Sequence, residues 1–157
     1  MSRLTRIVPL SHEYLAEVLQ AGDIAVDLTA GNGHDTLFLR RVVGAEGKVF
    51  SFDLQLSALE KTGQRLASED IAFEHHVTPA ADYSPGVHLV NVSHEMLKIF
   101  VQSPVKAVIA NLGYLPGGNR KIITRPVTTL SALEQAVALL EPGGRIAVVV
   151  YVGHDGG

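Results

Sequence analysis

The residues best suited to chemistry lie in one stretch, Val26-Asp27-Leu28-Thr29-Ala30-Gly31-Asn32-Gly33-His34-Asp35. An apolar run ends in an acid, crosses a Gly-x-Gly turn and opens a helical pattern. Glycines there let the backbone approach a ligand closely, and the first turn of the following helix presents N–H groups without intrahelical partners. Asp53 ends the next apolar run, 20 residues after Gly33. A carboxylate at that point can accept hydrogen bonds from both hydroxyls of a ribose. Two cofactors compete for this layout. A nicotinamide dinucleotide requires G-x-G-x-x-G/A, with its pyrophosphate on the helix N-terminus. Here the third position is Thr36, and Asp27 would set a negative charge beside the pyrophosphate. S-adenosylmethionine has no phosphate, and its ammonium and sulfonium favour a nearby carboxylate. The pattern D-x-x-x-G-x-G with a second-strand acid therefore matches S-adenosylmethionine better. The plainer alternative is an ordinary turn in which Asp27 is solvated or caps the helix.

A second candidate is Asn111-Leu112-Gly113-Tyr114, after the apolar run Val105–Ala110. An Asn side chain can accept from an amino group and donate elsewhere, which suits holding a nitrogen nucleophile near a methyl donor. On its own, Asn at a strand end is more often a turn former. The seven histidines offer no H-E-x-x-H, and His75 and His76, adjacent in a strand, cannot point the same way. No metal is expected.

These residues need a scaffold, and the spacing supplies one. Helical periodicity is read at Ser11–Gln20, Asp35–Val43, Leu56–Ala67 and Thr129–Leu140, with a helix or turn at Met96–Val101. Strand-like runs are Ile24–Leu28, Lys48–Phe52, Ile71–Val77, Val87–Val92, Val105–Ala110 and Arg145–Val152. Pro142-Gly143-Gly144 is expected to stop the last helix. Strands alternating with helices predict an α/β domain with a doubly wound, mostly parallel sheet. The 157 residues suit a single domain, and 46% apolar residues suffice for a core. Lys plus Arg is 13 against 16 Asp plus Glu, a net charge of −3, which excludes a polycationic nucleic-acid packager. Without cysteine there is no disulfide framework, thiolate metal site or Cys nucleophile. No apolar run reaches the ~18 residues of a membrane span, and Met1–Leu10 has no signal-peptide pattern. A soluble cytoplasmic domain is the expectation.

Four segments together resemble a family. D-L-T-A-G-N-G-H-D-T, Ser93-His94-Glu95, N-L-G-Y-L-P-G-G and the closing V-V-Y-V-G-H-D-G-G are similar to small bacterial methyltransferases long labelled rRNA methylases and now understood as tRNA wobble-uridine methyltransferases. The resemblance covers nearly the whole chain. It implies a Rossmann-like class I methyltransferase that uses S-adenosylmethionine to convert 5-aminomethyl-2-thiouridine to 5-methylaminomethyl-2-thiouridine at the tRNA wobble position. By position, it implies that Asp27, Thr29, Gly31, Asn32 and Gly33 line the methionine part of the cofactor. Asp53 would bind the ribose, Gln55 would lie near the adenine, and Ser93 and His94 would flank it. Asn111, Leu112 and Gly113 would close the site toward the reacting nitrogen. Many amino-group methyltransferases carry N-P-P-Y at this loop. Leu112-Gly113 in place of Pro-Pro points away from an exocyclic base amine and toward a flexible alkylamine.

Such an amine has a pKa of ~10 and must lose a proton before it attacks. His154 and Asp155 are the candidate bases, with Tyr114 or Tyr151 orienting the amine. No acid occurs between Glu95 and Glu134, whereas Lys98, Lys106, Arg120, Lys121 and Arg125 lie there. Arg120, Lys121 and Arg125 follow the Asn111 loop and form the candidate RNA-binding cluster, with Arg3 and Arg6 weaker candidates. A solvated loop is the alternative. Two rival functions stand beside the tRNA enzyme: an rRNA or small-molecule methyltransferase on the same scaffold, and a nucleotide-binding module that transfers no methyl group. The segment Glu74–Gly86 is longer and more Pro-rich than the family pattern. Class I methyltransferases usually end with two further strands after the fifth. The expectation is therefore a C-terminally truncated domain, or a last strand that pairs across a homodimer.

Overall fold

In the computed structural model, residues 6–112 and 125–151 are described. The elements run α1 (Ile7–Ala16), β1 (Ile24–Asp27), α2 (His34–Val43), β2 (Lys48–Phe52), α3 (Leu56–Ala67), β3 (Phe73–His76), β4 (Gly86–Val90), α4 (Leu97–Phe100), β5 (Val105–Leu112), α5 (Pro126–Leu139) and β6 (Leu140–Val150). A single 3-10 turn, His94–Met96, precedes α4. The six strands form one sheet in the order β3-β4-β2-β1-β5-β6, and every pairing is parallel. The chain first winds from β1 outward through β2 to β4, then returns to place β5 on the other side of β1. The switch point between β1 and β5 opens a crevice beyond the carboxyl ends of the strands, where ligands bind in open α/β sheets.

Strands buried on both faces read as unbroken apolar runs, and alternate residues feed opposite cores. Ala25 packs with Leu15, Leu37, Leu39, Leu59 and Leu66 on the side of α1, α2 and α3. Val26 packs with Phe52, Leu97, Phe100, Ala132 and Ala136 on the side of α4 and α5. Among the described residues, no helix is long and apolar enough to cross a membrane.

Several boundaries differ from the sequence expectation. Helix α1 begins at Ile7, so Pro9 lies in its first turn, where the missing N–H costs no helical hydrogen bond. Pro142-Gly143-Gly144 does not separate α5 from the last strand. Strand β6 starts at Leu140, pairs with Val105, and rejoins the ladder only at Arg145 opposite Ala107. The Pro-Gly-Gly segment is absorbed as a bulge within the strand. Strands β3 and β4 are parallel neighbours joined by the nine residues 77–85 without a helix, shorter than the usual crossover.

Candidate cofactor and active site

The loop after β1 is built by its own polar groups. Asp27 is completely buried. Its Oδ1 accepts the Thr29 backbone N–H at 2.9 Å and its Oδ2 the Thr36 hydroxyl at 2.8 Å. Thr36 Oγ1 is also 2.8 Å from Ser51 Oγ on β2. Burial, reinforced by the nearby charge of Asp35, pushes the Asp27 carboxyl up to about 8. Gly31 and Gly33 both take positive φ, 55° and 85°. A Cβ on Gly33 would stand 2.8 Å from Thr62 Cα, so both backbone angle and space require glycine there. From α3, Thr62 and Arg65 brace the turn by donating to the carbonyls of Gly31 and Asn32, at 3.3 and 2.8 Å.

Asp53 stands across this loop. Its Oδ2 accepts the Gly31 N–H at 3.0 Å and its Oδ1 the Gln55 N–H at 2.9 Å. A carboxylate has about four lone-pair directions, so acceptor capacity remains for a pair of hydroxyls. Burial raises the Asp53 pKa, and the two backbone donors oppose that rise. Asn91, which the sequence reading did not single out, donates its amide to the carbonyls of Asp53 and Leu54 at 2.9 and 3.2 Å. Gln55, the N-cap of α3, is nearly buried beside this acid.

Ser93 accepts from the Glu95 N–H at 3.4 Å at the start of the 3-10 turn. His94 reaches back to the first loop, its Nδ1 2.9 Å from the Leu28 carbonyl. A carbonyl only accepts, so Nδ1 carries the proton and Nε2 is an acceptor. That Nε2 is buried with no hydrogen-bond partner.

Asn111 is the second-last residue of β5. Its backbone N–H donates to Thr29 Oγ1 at 2.7 Å, tying the two loops together. Its Nδ2 donates to Asp35 Oδ2, and Asp35 Oδ1 is 2.5 Å from His12 Nε2 on α1. His12 stacks on Phe38 at 3.9 Å between ring centroids. The acceptor Asp35 thus fixes which end of the Asn111 amide is nitrogen, and Asn111 Oδ1 is left buried and unpartnered. Tyr151, following β6, has its pKa raised by burial and by the charge of Asp35.

The structure brings together Asp27, Thr29, Gly31, Asn32, Gly33, Asp53, Gln55, Ser93, His94, Asn111 and Leu112 at the carboxyl ends of β1, β2, β4 and β5. Asp35 and His12 join them, although neither received a role from sequence. Asp35 carried a signal, as the acid just inside α2. His12 carried none, because its contact spans 23 residues. Gly113, Tyr114, Arg120, Lys121, His154 and Asp155 lie outside the described residues. Arg125 is exposed at the N-cap of α5, the end of that helix facing the site. Lys106 does not belong to the mouth of the site. It is the second residue of β5, at the opposite end of the strand, and pairs with Glu141 at 3.1 Å.

Three buried acceptors without protein partners, Asn32 Oδ1, His94 Nε2 and Asn111 Oδ1, occur in this group. Together with Asp53 and the Gly33 close approach, they form a cradle whose acceptors fit a nucleoside bearing amino and hydroxyl groups.

Residues 49–157 match the protein family described as "Putative rRNA methylase". A chloroplastic tRNA (mnm(5)s(2)U34)-methyltransferase of Arabidopsis thaliana is 40% identical over 155 residues, covering 94% of this chain and 53% of that protein. The chain thus spans about half the length of this curated relative. A solved structure titled as an rRNA-methylase from Clostridium thermocellum is 40% identical, with a TM-score of 0.85 over 96% of this chain and 74% of that one. A methyltransferase from Streptococcus mutans, solved in complex with SAH, is 38% identical, with a TM-score of 0.79 over 96% and 74% of the two chains. The chain belongs to the family described as "Putative rRNA methylase", and its sheet is the Rossmann-like scaffold of class I methyltransferases.

Proposed function

We propose that these 157 residues form the S-adenosylmethionine-binding domain of a tRNA methyltransferase that modifies an aminoalkyl group on the wobble uridine. The observation that carries this is Asn111. It is held by Thr29 and Asp35 at the switch point, with a bare amide oxygen beside the cofactor loop. The similarity to the Arabidopsis tRNA (mnm(5)s(2)U34)-methyltransferase and to the SAH-bound Streptococcus mutans methyltransferase supports the substrate and the cofactor.

S-adenosylmethionine, when bound, supplies an electrophilic methyl group on a sulfonium. Asp53 would accept its ribose hydroxyls, and the Gly31–Gly33 turn would admit its amino-acid part. The buried Asp35 gives this end of the sheet a negative field that favours cationic groups, whereas Asp27 keeps its proton up to about pH 8. Methyl transfer is an in-line displacement, so orientation supplies much of the rate. Asn111 Oδ1 would accept an N–H of the substrate amine and aim its lone pair away from the amide. The amine must be neutral to attack. His154 and Asp155 are the proposed bases, and Tyr151, sensing Asp35, a proposed orienting group. Arg120, Lys121 and Arg125 would hold RNA phosphates beside the site. We place the enzyme in the cytoplasm, where the plant relative is named chloroplastic.

The test is mass spectrometry of nucleosides from tRNA incubated with the full chain and S-adenosylmethionine. The expected result is one added methyl on 5-aminomethyl-2-thiouridine and on no other nucleoside. Methylation of rRNA or of a free small amine instead, with tRNA unchanged, overturns the substrate. A chain that binds S-adenosylmethionine but methylates none of these overturns the activity.

A further inference from the structure

Away from the cofactor loops, the face of the sheet at β3 and β4 carries a second polar cluster. Glu74 and His76 are two residues apart on β3 and share one face, with His75 directed to the other. Register places Glu74 opposite His88 on β4. His88 is almost completely buried, and its Nε2 is 2.8 Å from the Ser84 carbonyl. That carbonyl can only accept, so His88 carries its proton on Nε2 and presents a lone pair at Nδ1. His76 Nε2 faces that lone pair at 3.0 Å. Glu74 Oε2, another acceptor, lies 3.6 Å from His76 Nε2 and 4.0 Å from His88 Nδ1. The single proton on His76 Nε2 bonds the buried His88 lone pair, and the exposed Glu74 carboxylate stands beside the pair, open to water. A cation placed between them would meet all three ligand atoms at once.

We propose that Glu74, His76 and His88 form a binding site for a divalent transition metal of the zinc type, clipping edge strand β3 to β4. All three ligand atoms lie within 4.8 Å of one another. Four-coordinate zinc with bonds of ~2.0–2.1 Å sets its ligand atoms about 3.3–3.4 Å apart, within the observed range of 3.0 to 4.0 Å. Two imidazoles and one carboxylate select zinc, copper, nickel or cobalt over magnesium or calcium. The Ser84 carbonyl on the far nitrogen of His88 is the outer-shell contact that fixes a ligating imidazole. Phe50 and Tyr83 add an apolar wall, with ring centroids 5.1 and 4.9 Å from that of His88. Three protein ligands leave one position for water. The clip also has a purpose. Strand β3 has one sheet neighbour and a nine-residue connection, so its own pairing is slight support.

The experiment is titration of Zn2+ into the chelator-treated full chain, followed by calorimetry and thermal melting. Co2+ serves as a spectroscopic probe. One Zn2+ per chain should bind and raise Tm by several degrees, Mg2+ should do neither, and Co2+ should give the strong visible absorption of four-coordinate cobalt. Glu74→Gln, on an exposed side chain, should weaken Zn2+ by about tenfold or more. His76→Ala should abolish the saturable step, and His75→Ala on the opposite face should change nothing. Absence of a saturable Zn2+ step overturns the site. So does a step that survives His76→Ala and Glu74→Gln, or one removed by His75→Ala, either of which would assign the metal to other histidines. All readouts are free of methyl transfer, so failure here is separate from failure of the proposed activity.

Discussion

Two polar clusters sit in this sheet, and they handle burial differently. At the strand ends, Asp27, Asp35 and Asp53 are satisfied by the protein itself, through backbone N–H groups, a hydroxyl, an imidazole and an amide. On the β3–β4 face, Glu74, His76 and His88 converge mainly as acceptors, with one proton to share. Loops at strand ends have free backbone donors to offer a carboxylate. A sheet face has none, because the ladder has consumed them. The first cluster is therefore preorganised by the chain, while the second is completed from outside. Substitutions in the first should act with no metal added, and those in the second only when metal is supplied.

The largest effect is expected at Gly33. An alanine would hold a positive φ of 85° and press its Cβ within 2.8 Å of the Thr62 backbone. Strain of roughly 1–3 kcal/mol should lower Tm and remove measurable S-adenosylmethionine binding by calorimetry. Binding that survives intact would show that the loop is not the cofactor cradle. Asn111→Ala should lower turnover by about 100-fold while leaving cofactor affinity within about twofold. An equal loss in both would make Asn111 a loop brace and no more. Asp53→Asn keeps the shape but gives up charge-assisted acceptance, and should weaken S-adenosylmethionine by about 10- to 100-fold. Calorimetry in metal-free buffer checks it.

Asp27 sharpens the contrast through pH. Its carboxyl titrates at about 8 in the folded chain against 3.8 unfolded. Between these values the folded chain holds the extra proton, so stability falls as pH rises. The gradient reaches up to about 1.4 kcal/mol per pH unit. The contribution is complete below the unfolded value and gone above about 8. Denaturation at pH 5, 6.5 and 8 should show Asp27→Asn losing less stability over this range than the parent. Parallel curves would mean that Asp27 is already ionised. The smallest effect is expected at Arg125. Arg125→Ala should weaken tRNA binding uniformly across sequences and reduce the salt slope by about one. An unchanged slope would remove this residue from the RNA face.

The legible parts of the fold and site share a physical cause. Lys48–Phe52 and Leu56–Ala67 were read to the residue, because an apolar run and an amphipathic period are local properties of the chain. Asp27 and the glycine turn were readable for the same reason, since a βα turn places its ligands within a few positions of the glycines, and Asp53 was readable because it ends the next apolar run. Less was legible where contact jumps across the chain. Asp35 was read only as a helix-start residue, yet it joins His12 to Asn111 across 23 and 76 positions. Lys106 counted toward a basic window by sequence, but the strand carries it to the far end of the sheet. The Pro-Gly-Gly segment looked like a helix stop and proved to be a bulge, because partner strand β5 tolerates the extra residues. The histidine cluster was invisible to helical spacing, since it needs a period of two on β3 and a partner on β4.

By itself, the sequence determined the class of the domain, the glycine turn and the two strand-end acids, all of which depend on neighbours along the chain. Tertiary structure decided which polar groups are satisfied and which are left facing inward. It buried Asp27 completely, set Asn111 between Thr29 and Asp35, and brought His76 to His88. The reason is that desolvation and hydrogen-bond closure depend on what packs against a group in space, and parallel crossovers bring together residues that sequence keeps far apart.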